Sequence, residues 1–82
     1  METKRTFAQI ARDIKSTWLN PYFGAKPYLD ALLELDTTDP QAKYLFDDAE
    51  SIAAYFLANA QTFRGERARA LKRELKELAG IK

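Results

Sequence analysis

Neither cysteine nor histidine occurs in this chain of 82 residues. Their absence excludes disulfides, thiolate nucleophiles, imidazole bases and the usual zinc ligand sets together. Catalysis would have to rest on carboxylates, lysine or tyrosine, and no cluster of these has the spacing of a catalytic, metal or phosphate site. No enzyme, cofactor or metal is therefore expected. Glycine and proline are scarce, three of each, and serve as punctuation at identifiable positions. Long apolar runs are also lacking. Met1-Glu2-Thr3-Lys4-Arg5 leads into a segment interrupted by Gln9, Arg12 and Asp13, so neither a signal peptide nor a membrane span is expected. The default expectation is a cytoplasmic protein without membrane contact.

What is present is a hydrophobic fraction of 46% with 30% charge, the composition of an ordered globular chain. The length suits a single domain over residues 1–82. The net charge of +1 conceals segregation: residues 1–27 carry five basic and two acidic side chains, residues 28–50 one and seven, and residues 51–82 seven and three. An acidic middle thus lies between two basic ends.

The pattern predicts helices throughout. Thr6 with Gln9 fits a capping box, and Phe7, Ile10, Ala11, Ile14 and Trp18 follow at helical spacing, giving helix 1 over about 6–19. Asn20-Pro21, Gly24 and Pro27 break the chain, and Pro27 is expected to push Lys26 out of the helical region. Tyr22-Phe23 then folds onto the core as a short turn, and helix 2 runs over about 27–35. Asp36-Thr37-Thr38-Asp39-Pro40 is a polar loop with a restart signal, followed by a short turn through Tyr44. Asp47 and Asp48 offer caps to helix 3, about 48–63, whose Ala49, Ile52, Ala53, Phe56, Leu57, Ala60 and Phe63 form a broad apolar face. Because its other side (Ser51, Ala54, Ala58) is small and uncharged, helix 3 is expected at the centre of the domain; exposure of that side to a partner helix is the other reading. Gly65, with a positive φ, separates helix 4, about 66–79, which Gly80 ends. The expectation is an all-α, compact bundle of four helices.

Two surfaces are candidate sites. The acidic block comprises Asp30, Glu34, Asp36, Asp39, Asp47, Asp48 and Glu50. The basic face of helix 4 comprises Arg64, Arg67, Arg69, Lys72, Arg73 and Lys76, diluted by Glu66, Glu74 and Glu77, with Arg73 and Glu77 spaced for an intrahelical pair. Asp47, Asp48 and Glu50 fit helix N-terminal residues better than a magnesium site.

The run Ala25-Lys26-Pro27-Tyr28-Leu29-Asp30-Ala31, followed by Tyr55-Phe56-Leu57-Ala58-Asn59-Ala60, Phe63-Arg64-Gly65-Glu66-Arg67-Ala68-Arg69 and Lys72-Arg73-Glu74-Leu75, resembles small uncharacterised helical proteins encoded by bacteriophages, prophages and related mobile elements. The resemblance spans about Phe7 to Leu78 and is weakest between Asp36 and Lys43. It implies an accessory protein that acts by binding, such as an inhibitor of host defence, an antirepressor or an assembly factor.

The leading expectation is a protein-binding module that uses either the acidic block or the helix 4 face. Nucleic-acid binding through helix 4 is the alternative. The stripe carries phosphate-binding charge, yet no aromatic residue lies beyond Phe63 to stack on bases. The acids at the start of helix 3 also count against a helix-turn-helix approach to DNA. A structural virion or assembly role is a further alternative.

Overall fold

The computed structural model describes residues 4–81. Met1 to Thr3 and Lys82, which enter the sequence reading only through charge and the leader expectation, lie outside them. The elements are helix α1 (Phe7–Thr17), helix α2 (Lys26–Leu33), a two-residue strand pair β1 (Lys43–Tyr44) and β2 (Asp47–Asp48), helix α3 (Ala49–Ala58) and helix α4 (Glu66–Ala79).

Local chemistry explains most boundaries. The Thr6 hydroxyl accepts from the Gln9 amide while the Gln9 side chain accepts from the Thr6 amide, the reciprocal capping box expected from the sequence. The next amides, of Phe7 and Ala8, donate to the carbonyls of Thr37 and Leu35. The start of α1 is thereby bonded to the segment that follows α2. The Asp48 carboxylate accepts from the Ser51 amide and caps α3. Gly80 adopts a left-handed conformation that ends α4, and the Ile81 amide closes onto the Lys76 carbonyl.

The helices form a ring: α1 packs on α2 and α4, and α3 packs on the same two. Phe7, Ile10, Ile14, Leu32, Phe56, Leu71 and Leu75 are completely buried inside it. Trp18, which terminates α1, stacks on Phe63 at 4.9 Å between ring centres and meets Phe56 edge-on at 6.2 Å. No polar or charged residue is buried among the described residues, so the core is wholly apolar.

The four-helix expectation holds, with corrections of detail. Lys26 lies inside α2, because Pro27 at the second helical position needs no amide partner. Tyr22 and Phe23 form a turn but stay exposed, their rings 4.8 Å apart. The chain between Pro40 and Asp48 forms a hairpin. α3 ends at Ala58, and the following turn still delivers Ala60 and Phe63 to the core. Finally, α3 reaches the centre through Phe56 but is not enclosed: Ala54, Tyr55 and Ala58 are exposed. A ring leaves every helix one outer face, and beyond Glu50 in its first turn that of α3 carries Ala54, Tyr55 and Ala58 and no charge.

Candidate functional site

The exposed alanines of α3 and the basic stripe of α4 prove to be two walls of one open groove. Ala54, Leu57 and Ala58 contribute one side, Arg69, Lys72, Arg73, Lys76 and Glu77 the other, and Ile81 lies at the end of α4. The small-residue face of helix 3 and the basic face of helix 4, separate features of the sequence, thus belong to one surface. Leu57 and Ile81 are half-buried and give the groove an apolar floor.

The cations divide into two kinds. Arg69, Arg73 and Lys76 are exposed on the groove wall. Lys72 is half-buried: its ammonium donates to the Ala60 carbonyl at 2.9 Å and lies 5.8 Å from the centre of the Phe63 ring. Burial, and then the nearby Arg64, push its pKa down. Lys72 therefore secures the turn after α3 as well as lining the groove. Arg64 donates to the Gln61 carbonyl at 3.2 Å.

Arg67 leaves the stripe altogether and pairs with Asp13 of α1. Asp13 also accepts from Arg5 at 3.2 Å, and Arg5 makes a two-pronged contact with Glu74 at 2.9 and 2.6 Å. Burial alone would raise the Asp13 carboxyl, but hydrogen bonding to Arg5 and the charge of Arg67 hold it below its ordinary value. Hydrogen bonding to Arg5 lowers Glu74 in the same way. This network was not foreseen, since its members are up to 69 residues apart. The expected Arg73 to Glu77 pair does not form among the described residues; Glu74 is the engaged acid.

The acidic block is not a single surface. Asp36 accepts from the Thr6 hydroxyl, Asp39 from the Gln41 amide, and Asp48 from Ser51. The bond from the Ser51 amide lowers the Asp48 carboxyl pKa. Asp30 stands on α2 and Glu34 caps its end, while Asp47 lies in β2 and Glu50 in the first turn of α3. Among the described residues, no group of three or more acidic side chains is placed to hold a metal ion, and no helix is long and apolar enough to cross a membrane.

A feature missed in the sequence is the apolar hairpin tip. Lys43 pairs with Asp48 and Tyr44 with Asp47, leaving Leu45-Phe46 as a two-residue connection. Leu45 has a φ of 60° and is 78% exposed; Phe46 is 94% exposed. Tight hairpin loops favour glycine or asparagine at positive φ, so a Leu-Phe pair gives no hairpin signal.

Comparisons with protein-family models, curated proteins and solved structures found no match.

Proposed function

We propose that this protein is a binding module whose working surface is the α3–α4 groove and whose ligand is an amphipathic helical segment of another protein, acidic along its flank. The observation that carries the reading is the pairing of exposed Ala54 and Ala58 with Arg69, Arg73 and Lys76 across one groove. Alanine lets a helix approach closely, the half-buried Leu57 and Ile81 offer apolar contact, and the cations select an acidic flank. The resemblance to phage and mobile-element proteins points to a host or phage protein as the owner of that segment, in an inhibitory or anti-defence role in the bacterial cytoplasm.

Nucleic acid is the competing ligand for the same cations. Two observations weigh against it. No groove-lining residue is aromatic, which removes base stacking, and Lys72 is committed to the Ala60 carbonyl.

The test is fluorescence anisotropy with a synthetic acidic amphipathic helix, a scrambled peptide of the same composition, and a DNA duplex. The expected result is binding of the amphipathic peptide, weakened about tenfold or more by Arg69→Glu with Arg73→Glu and by Ala54→Arg. Preference for the scrambled peptide would remove the helical reading. Tight, steeply salt-dependent binding of the duplex, lost in the charge-reversed variant, would establish nucleic acid as the ligand.

A further inference from the structure

The hairpin tip and the groove carry complementary chemistry on the same molecule. The tip exposes Leu45 and Phe46, and the two-residue turn places Leu45 at a positive φ that glycine or asparagine would adopt at lower cost. Such strain at an exposed apolar residue points to a binding role rather than a structural one. Acids lie at its base: Asp47 follows it directly, and Asp48, the cap of α3, comes next. The bonds from the Ala49 amide to the Ala42 carbonyl and from the Glu50 amide to the Pro40 carbonyl hold the 39–42 loop against the start of α3, bringing Asp39 and Glu50 to the hairpin base. Lys43, across from Asp48, is the cation that offsets them.

The groove has the opposite balance of charge, with small and apolar residues beside Arg69, Arg73 and Lys76 and a single acid, Glu77. We propose that a second copy of this chain inserts its Leu45-Phe46 tip into the α3–α4 groove, with the acids at the base of the tip facing these cations. The proposal rests on the groove being a docking surface. It names the chain's own hairpin as an occupant, one that a foreign acidic helix would displace. Exchange of tips about a two-fold axis fills both grooves and leaves no open end, so the expected species is a dimer. A buried aromatic anchor ringed by charge complementarity has the composition of an interface centre.

Sedimentation velocity across a concentration series, at low and high salt, tests this directly. The expected result is a mass that rises from monomer towards dimer with concentration, and an association that weakens as salt rises. Phe46→Ser, at a solvent-exposed position, should weaken dimerisation about tenfold or more, and Arg69→Glu with Arg73→Glu should do the same. A parent that stays monomeric up to about a millimolar overturns the proposal, as does a dimer indifferent to Phe46→Ser. A dimer that depends on Phe46 but ignores the charge reversal also overturns it, because the tip would then dock elsewhere. Peptide binding is read separately. A monomeric parent that binds the acidic peptide sinks self-docking alone, whereas a tip-dependent parent dimer whose monomeric Phe46→Ser variant, with its groove open, fails to bind the peptide sinks the foreign-helix reading alone.

Discussion

Single residues in this fold divide according to whether their conformation serves stability or something else. Phe56 serves stability: it is fully buried and meets Trp18 edge-on. Phe56→Ala should lower stability by about 3 to 5 kcal/mol in denaturant titration, the usual cost of truncating a buried aromatic. Leu45 is the opposite case, since a branched side chain at a φ of 60° is disfavoured relative to glycine. Leu45→Gly should therefore raise the melting free energy by up to about 1 kcal/mol while removing half of the apolar tip. A destabilised glycine variant would show that the leucine makes a packing contact instead. Lys72 combines both roles, and this alters what a charge-removal experiment should show. Lys72→Ala should cost about 1 kcal/mol through the lost Ala60 hydrogen bond and ring contact, whereas Arg69→Ala and Arg73→Ala, both exposed, should each stay within about 0.5 kcal/mol of the parent.

Elements whose signals are local were legible in the sequence, and elements that depend on distant contacts were not. The Thr6 capping box, the span of α4 and the Gly80 stop are decided within a few residues, so pattern and turn chemistry suffice for them. The end of α3 is different. Asn59 to Phe63 contains neither glycine nor proline, and the apolar spacing continues through Ala60 and Phe63. Those residues are buried as a turn because Trp18 stacks on Phe63, a contact the local pattern does not encode. The candidate site was legible in pieces: the basic stripe and the small face of α3 were each visible, but their union into a groove is a tertiary fact. The hairpin was hidden by its two-residue strands and its Leu-Phe loop. Gly65 was legible as a positive-φ break, although it sits at the start of α4 rather than ending α3. Its φ of 110° and ψ of 173° belong to a region open to glycine almost alone. Gly65→Ala should cost more than about 1 kcal/mol, and because a Cβ there meets nothing within 4 Å, Gly65→Ser should cost the same. A much larger serine penalty would point to a steric rather than a backbone origin.

At the scale of the molecule, the ring of helices is closed by charge as well as by apolar packing. Arg5 and Arg67 together hold Asp13 of α1 and Glu74 of α4, joining the segment before α1 to the last helix. Both carboxyls lie below their ordinary values of 3.8 and 4.5, so the folded state binds fewer protons than the unfolded chain in that range. Stability from this network is fully present above about pH 5 and is lost as the pH falls through the folded pKa values, below 3.8 for Asp13. The groups are partly exposed, and solvent screening limits the Arg5 to Glu74 contact to about 1 kcal/mol or less. Acid will destabilise the parent through Asp48 as well, whose carboxyl is also lowered, so the parent's pH profile alone does not isolate the network. The difference between parent and Arg5→Ala does, because the Asp48 contribution is common to both. That difference should be about 1 kcal/mol near neutral pH and should shrink as the pH falls below the ordinary carboxyl values of 3.8 and 4.5 and the partners of Arg5 become neutral. Urea titrations of both proteins over this pH range measure it. A gap that stays constant into strong acid would mean that Arg5 acts by packing its aliphatic stem, and that the charge linking α1 to α4 is left to Arg67 and Asp13.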